Sequence, residues 1–201
     1  MDILALHLSP RKNGNSAVML DEFVKGARSA GACTVSFSVS DHVIKPCQGC
    51  GSCEATGDCV ISGDDMGGLY PLLAAAPMIV VSTSLFFYDV PALGKALIDR
   101  TQPLWSRRYA LGQTETLRPE GKGFLLALGA TKGKDLFLPV GLCIKYFFDS
   151  IGFPRHFDSL FFRQIEGLGG FEKDPDRLRQ VYEAGLAFGN MRAGAGPQDR
   201  N

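Results

Sequence analysis

Short apolar runs recur along the chain, separated by longer stretches in which apolar positions have helical spacing. The first run, residues 2–8, shows no polar alternation, which is typical of a strand buried on both faces of a parallel sheet. A polar turn, SPRKNGN, follows it and leads into a helical pattern. Further strands are predicted at 34–39, 78–82, 123–128 and 157–165.

Helical spacing lies between these strands. The first predicted helix begins with Asn15 as its cap and ends at Gly31. A weaker helix is predicted to follow Asp64 or Asp65, and the segment 101–121 is predicted to be irregular. Three more helices are predicted at 91–100, 136–151 and 175–191.

Strands that alternate with helices predict an α/β fold with a doubly wound, five-stranded parallel sheet and helices on both faces. In such folds, ligands bind beyond the carboxyl ends of the strands. The predicted ends are the loops that start at Ser9, Ser82 and Gly129. We therefore expect a ligand site to be built from these loops.

Composition indicates one globular domain, since 45% of the 201 residues are apolar and 21% are charged. We predict a single domain over 1–190, a cysteine-rich loop at 45–62 and a flexible tail at 191–201.

Basic and acidic residues balance at 21 each, which argues against a nucleic acid or membrane partner and favours a small molecule. The first residues lack the basic region of a signal peptide, so we expect a cytoplasmic protein with reduced thiols.

The loop after the first strand, SPRKNGNS, has the chemistry of a phosphate site. The N-terminus of the next helix presents unpaired N–H groups and the positive end of its dipole. Ser9, Asn15 and Ser16 offer neutral donors, Arg11 offers a charged donor, and Gly14 permits a tight turn. An ordinary capped turn is the alternative.

Other loops narrow the choice of ligand. Neither a G-x-G-x-x-G sequence nor a Walker A loop is present, so a mononucleotide phosphate fits better than ATP or a tightly bound dinucleotide. Phe86, Phe87 and Tyr88 offer flat rings that can stack on a planar cofactor, and core aromatics are the alternative. Residues 130–133 offer small side chains and backbone N–H groups to the edge of a ring.

Four cysteines follow the spacing C-x2-C-x2-C-x5-C within the loop at 45–62. Steps of two residues favour an iron–sulfur cluster, because structural zinc usually takes two C-x2-C pairs that are further apart. Zinc and the absence of any metal remain alternatives. The predicted metal ligands are Cys47, Cys50, Cys53 and Cys59.

The remaining candidates have plainer expected roles. Cys33 and Cys143 are predicted to be buried small side chains, and His7 is predicted to lie in the core. Arg100, Arg107 and Arg108 are predicted to form a solvated basic face, with a pyridine nucleotide phosphate as the alternative partner.

Together these pieces resemble the flavodoxin-like family of NADPH-dependent FMN reductases, and in particular its iron–sulfur flavoprotein branch. The resemblance covers roughly residues 2–190. It differs from the usual family pattern at Leu8 (usually Gly), Ser84 (Pro), Phe86 (Tyr) and Tyr88 (Gly). The stretches that carry it are SPRKNGNS at 9–16, PCQGCGSC with Cys59, IVVSTSLFFYDVPALGKALIDR at 79–100, and the TQPLW that follows.

The resemblance implies FMN and a [4Fe–4S] cluster, in a homodimer or homotetramer whose partner chain contributes to the site. The implied phosphate contacts are Ser9, Arg11, Asn13, Asn15 and Ser16. The implied ring contacts are Ser82, Thr83, Ser84, Leu85, Phe86, Phe87, Tyr88, Ala130, Thr131, Lys132 and Gly133.

The chain is therefore predicted to be a redox flavoprotein that transfers electrons between a reduced donor, NAD(P)H or a ferredoxin-like protein, and an acceptor. The cofactors supply the chemistry, and no side chain is assigned as an acid or base. One alternative is an NAD(P)H-dependent FMN or quinone reductase without a cluster. The other is a non-catalytic binding module stapled by zinc.

Overall fold

Five parallel strands form one sheet in the computed structural model, which describes residues 1–192. The sheet order is β2-β1-β3-β4-β5, so the predicted doubly wound parallel sheet of the flavodoxin-like fold is confirmed. The predicted tail at 191–201 lies, from residue 193 onward, outside the described residues. The strands are β1 (Ile3–His7), β2 (Thr34–Ser38), β3 (Met78–Ser84), β4 (Lys122–Leu128) and β5 (Asp158–Phe162).

Seven α-helices occur within the described residues, and two of them were not predicted. One is the short α2 inside the cysteine loop, and the other is α5, which overturns the prediction that 101–121 is irregular. Pro103 in the first turn favours the start of α5. The helix is rich in polar residues, so its sequence shows no apolar periodicity from which it could be predicted. The helices are α1 (Asn15–Ser29), α2 (Ser52–Thr56), α3 (Met66–Ala75), α4 (Ala92–Asp99), α5 (Gln102–Tyr109), α6 (Leu138–Ser150) and α7 (Pro175–Asn190).

Three further expectations are corrected. β3 continues past Ser82, because Ser84 still pairs with Leu128 of β4. Gly14, not Asn15, occupies the N-cap position of α1. Cys33 is exposed rather than buried, since it immediately precedes the edge strand β2, and Cys143 is half-buried.

Each face of the sheet carries its own apolar core. On one face, α3, α4 and α6 cover residues such as Leu6, Val81 and Leu125. On the other face, α1 and α7 cover residues such as Ala5 and Val80. Strands of this kind are buried on both sides, which explains the absence of polar alternation along them.

Glycines allow α1 and α7 to approach each other closely. A Cβ atom at Gly185 would lie only 2.0 Å from the carbonyl oxygen of Phe23, and one at Gly26 would lie 2.0 Å from that of Tyr182. Backbone atoms cannot yield as a side chain can, so both positions require glycine.

His7, at the end of β1, joins three elements beneath the first loop. Its ring is buried, with Nδ1 3.0 Å from the hydroxyl of Ser38 and Nε2 3.0 Å from the hydroxyl of Ser16. Burial lowers the pKa of His7 to about 4, against the opposing charge of Asp41. The ring is therefore neutral near pH 7 and holds the first turn of α1 to the sheet.

We predict that Gly185→Ala will lower the free energy of unfolding by about 1–3 kcal/mol, because the new methyl group meets backbone at the α1–α7 contact. Gly68→Ala is the matched control. Gly68 is exposed in α3, and a methyl group added there would have no other atom within 4 Å, so alanine should stabilise by about 0.5–1 kcal/mol. Urea unfolding of both variants tests this, and equal effects would contradict the close contact.

We also predict that His7 contributes to acid sensitivity. Its pKa in the folded protein lies below the ordinary value of 6.5, so the unfolded chain binds the proton more readily. The contribution of His7 is complete above about pH 6.5 and is lost toward pH 4, at up to about 1.4 kcal/mol per pH unit. Unfolding free energies measured across this range should fall less steeply for His7→Gln than for the wild type. Equal slopes in His7→Gln and the wild type would contradict this role of His7.

Candidate functional site

Four loops meet at the carboxyl edge of the sheet around a cavity of about 240 Å³, here called the edge cavity. They follow β1, β3, β4 and β5, because the carboxyl ends of parallel strands lie on the same side. The structure thus brings together parts of all three predicted loops and adds a fourth. The lining residues are Ser9, Arg11, Gly14, Asn15, Ser16, Ser84, Leu85, Phe86, Leu128, Gly129, Ala130, Ile165, Glu166, Gly167 and Leu168.

Within the predicted phosphate loop, most side chains already have partners in the protein. The Ser9 hydroxyl accepts a hydrogen bond from the Ser84 N–H at 2.7 Å, and the Ser16 hydroxyl contacts His7. The Asn15 side chain donates to the Gly167 carbonyl at 2.7 Å and accepts from the Phe171 N–H at 3.1 Å. These three side chains hold neighbouring elements in place.

The beginning of α1 and one arginine remain for an anion. Gly14, Asn15 and Ser16 line the cavity with the first turn of α1, where N–H groups and the helix dipole favour negative charge. Arg11 is exposed and lines the same cavity, whereas Asn13 is not among its lining residues.

The segment after β3 makes a tight reversal. Phe86 and Asp89 pair through two backbone hydrogen bonds of 2.9 and 3.1 Å. Phe87 and Tyr88, at the turn, have φ angles of 51° and 70°, in the left-handed region that non-glycine residues seldom adopt. Phe86 lines the edge cavity, while Phe87 is fully exposed and Tyr88 about half exposed.

Several of the predicted ring contacts are not among the residues that line the edge cavity. Ser82 and Thr83 are buried within β3, and the Ser82 hydroxyl donates to the Ser16 carbonyl at 2.7 Å. Phe87 and Tyr88 lie outside the lining set, and so do Thr131, Lys132 and Gly133. Of the predicted ring contacts, the lining retains Ser84, Leu85, Phe86 and Ala130.

Sequence reasoning missed the loop that follows β5. The predicted strand ran to residue 165, but β5 ends at Phe162, which frees Ile165 to Leu168 to line the cavity. The glycine-rich sequence EGLGG, at the carboxyl end of a parallel strand, was the signal that could have revealed it. The hydrogen bond from Asn15 fixes this loop to α1.

A second cavity of about 390 Å³, here called the cysteine cavity, lies against the ends of α4 and α5. The structure brings all four predicted metal ligands to its wall. Gly49, Gly51 and Gly57 have φ angles between 64° and 75°, so the loop turns sharply before and after α2. Its lining is Cys47, Gln48, Gly49, Cys50, Gly51, Cys53, Glu54, Cys59, Val60, Ile61, Asp99, Arg100, Gln102 and Pro103.

Polar groups approach these sulfur atoms. The Gly49 N–H lies 3.5 Å from the sulfur of Cys47, and the Ser106 hydroxyl lies 3.5 Å from that of Cys53. Ser52 hydrogen-bonds with Cys50 and lowers the pKa of its thiol. All six cysteines carry free thiols, and within residues 1–192 no three His, Cys, Asp or Glu side chains are close enough to hold one metal ion.

Arg100 and Arg107 hold the cysteine loop and Arg108 pairs with α6, which corrects the expectation that the three arginines form a solvated basic face. Arg100 is buried against Asp64, and Arg107 donates to the Gly57 carbonyl at 2.8 Å. Arg108 pairs with the buried Asp149 at 3.0 Å. The acidic partners lie far away in sequence, so no local charge pattern predicted these pairs.

The two cavities lie at opposite ends of α4. The turn at 86–89 precedes this helix and Arg100 follows it, and eight helical residues span about 12 Å. No residue lines both cavities. Among the described residues, no helix combines the length and apolar character needed to cross a membrane.

Comparison with known proteins agrees with this architecture. The family model of NADPH-dependent FMN reductase matches residues 1–121. A solved NAD(P)H:quinone oxidoreductase from Methanothermobacter marburgensis is similar in fold, with a TM-score of 0.69 over 99% of both chains, at 14% sequence identity.

Curated relatives add a closer similarity in sequence. Proteins named iron–sulfur flavoprotein match this chain in Archaeoglobus fulgidus, at 35% identity over 52% of this chain, and in Methanosarcina thermophila, at 33% over 55%. These matches span about half the relatives' own lengths, 47% and 58% respectively. The chain therefore belongs to the NADPH-dependent FMN reductase family, in the branch whose curated members are named iron–sulfur flavoproteins.

Proposed function

We propose that this protein is a redox flavoprotein that binds FMN in the edge cavity and a [4Fe–4S] cluster in the cysteine cavity. It would transfer electrons between a reduced donor, NAD(P)H or a ferredoxin-like protein, and an acceptor. The observation that carries the proposal is the pairing of two separate cavities, one lined by the first turn of α1 and Arg11, the other by four cysteines.

The edge cavity suits a flavin mononucleotide. A phosphate placed at the first turn of α1 meets N–H groups, the helix dipole and the Arg11 guanidinium. Leu85 and Phe86 offer apolar contact to a planar ring, and Gly129 and Ala130 leave room for it to approach the backbone. Family membership supports FMN as the ligand.

The cysteine cavity suits an iron–sulfur cluster. Four thiols at the predicted spacing line one wall, and donors such as the Gly49 N–H and the Ser106 hydroxyl lie beside two of the sulfurs. Iron–sulfur clusters are held by cysteine thiolates, and hydrogen bonds to sulfur tune their potentials. The relatives' names support the same group.

When bound, FMN supplies two-electron hydride chemistry and the cluster supplies one-electron transfer. The residues that line the two cavities bind these groups, orient them and shield them from water. Glu166 is a carboxylate among the residues that line the edge cavity, and we assign it no role in proton transfer.

We further propose that the protein is a homodimer or homotetramer in which one chain's cysteine cavity faces the flavin of another. α4 separates the two cavities of one chain. Leu138, Leu142 and Tyr146 are exposed at helical spacing on α6, and this apolar stripe would be covered by a second copy.

The proposed thiolate ligands require reduced cysteines. Cysteines stay reduced in the cytoplasm, which is therefore the location that we propose for the protein.

Two alternatives give different measurable outcomes. A flavin-dependent NAD(P)H:FMN or quinone reductase without a cluster is favoured by the family model, which describes FMN reduction. A zinc-stapled, non-catalytic module would need the cysteine cavity alone. Purified without oxygen, the protein should show flavin absorption with a broad brown shoulder; flavin peaks alone indicate the first alternative, and a colourless zinc protein the second.

We predict that serine at Cys47, Cys50, Cys53 or Cys59 will disrupt the cluster but leave most FMN bound, since the edge cavity shares no residue with the cysteine cavity. Iron, acid-labile sulfide and flavin per chain provide the measurement. Cys33→Ser and Cys143→Ser are the controls and should keep a full cluster. Zinc without sulfide in the wild type would refute the cluster, and a full cluster in the Cys59 variant would place the fourth ligand elsewhere.

We predict that Arg11→Ala will weaken FMN binding by about 1.5–3 kcal/mol, the scale of a charged hydrogen bond, while riboflavin binding barely changes. Lys12→Ala is the control, because Lys12 pairs with Asp41 and does not line the edge cavity. Dissociation constants from flavin fluorescence test both variants. Equal losses for FMN and riboflavin, or equal losses in the two variants, would remove Arg11 from the phosphate site.

A further inference from the structure

Arg100 joins the two ends of the cysteine loop. Its side chain is 1% exposed, and its Nη1 atom donates to the Lys45 carbonyl at 2.8 Å and pairs with Asp64 at 2.5 Å. Its Nη2 atom donates to the Ile61 carbonyl at 3.1 Å. Lys45 precedes the first cysteine of the motif and Ile61 follows the last, so one guanidinium closes the whole loop.

One donor of this guanidinium is left over. The Nε atom of Arg100 is buried and has no hydrogen-bond partner among the described residues. A buried donor on a charged group is costly without an acceptor, and native structures contain few of them. Arg100 is also one of the residues that line the cysteine cavity, together with all four cysteines.

The charges around Arg100 favour a sulfur acceptor. Asp64, also 1% exposed, balances the positive charge of Arg100, and the Tyr70 hydroxyl donates to the Arg100 carbonyl at 2.6 Å. Four thiolates would bring negative charge into the cavity. A sulfur of a group held there would be a suitable acceptor for the remaining N–H.

We propose that the Nε–H of Arg100 donates a hydrogen bond to a sulfur of the metal–sulfur group held by Cys47, Cys50, Cys53 and Cys59, and thereby raises its reduction potential. This inference rests on the proposed function, since it requires a metal–sulfur group in the cysteine cavity. Hydrogen bonds to sulfur stabilise the more negative, reduced form of a cluster, and residues around the ligands set much of its potential.

Three variants separate this donor from loop closure. Arg100→Lys keeps the charge but removes the Nε donor together with the Nη atoms that bind Lys45, Ile61 and Asp64, whereas Asp64→Asn breaks the ion pair and leaves Nε in place. Arg107→Lys is the matched control, because Arg107 also holds this loop but its Nε already donates to the Gly57 carbonyl. Each variant is prepared without oxygen and measured for iron and sulfide per chain and for cluster potential, by a spectroscopically monitored redox titration. Thermal unfolding of the metal-free proteins checks that each folds.

Arg100→Lys should lower the potential, so that the ratio of reduced to oxidised cluster at one fixed ambient potential falls by roughly tenfold or more. Arg107→Lys should keep the wild-type value. Asp64→Asn should keep or raise the potential, because it removes a negative charge beside the cavity.

A wild-type potential in Arg100→Lys, or an equal fall in Arg107→Lys, would overturn the proposal. If Arg100→Lys holds no cluster, loss of loop closure at the Lys45 and Ile61 carbonyls explains the effect, and the donor role is overturned. A wild-type protein without iron and sulfide would instead overturn the proposed cluster, which is a separate result.

Discussion

Parallel strand pairing is the constraint on which the edge cavity depends. Because β1, β3, β4 and β5 run in the same direction, the loops that follow them leave the sheet at one edge. Residues as distant in sequence as Arg11 and Glu166 therefore line one cavity. The sheet can hold this arrangement because both of its faces are covered by helices, and its central strands are buried along nearly their whole length.

Polar side chains in and beneath the edge cavity hold its walls together. Neutral His7 supports Ser16, Ser9 accepts from the backbone of Ser84, and Asn15 fixes the loop after β5. Such contacts preorganise a binding site, since its walls need no rearrangement when a ligand arrives. Phe86 completes the wall, and the left-handed φ angles of Phe87 and Tyr88 beyond it persist because the Phe86–Asp89 backbone pair holds the reversal.

The conformation of the cysteine loop depends on buried charged side chains, whereas the edge cavity is held by neutral polar ones. It carries few apolar side chains and contains several left-handed glycines, so packing alone cannot order it. The Arg100–Asp64 pair and Arg107 supply the missing order through hydrogen bonds to the backbone of the loop. A buried ion pair is expensive to desolvate, and removing one partner is more damaging than replacing both. Arg100, just after α4, and Arg107, in α5, must therefore lie beside a loop that precedes both of them by more than thirty-five residues in the chain.

The amino-acid sequence by itself determined the class of fold, the order of the strands and of five of the seven described helices, and the spacing of four cysteines, because buried runs, caps and thiol spacing are local properties. It also indicated the first turn of α1 and Arg11 as an anion site. Tertiary structure decided the rest. Ser82 and Thr83 were assigned to the ring, but strand pairing extends β3 and buries them. Helix α5 carries no apolar periodicity and is ordered by its contacts, and the partners of Arg100 lie at distant positions. Pairing, burial and charge compensation act between residues far apart in the chain, so only the folded molecule shows them.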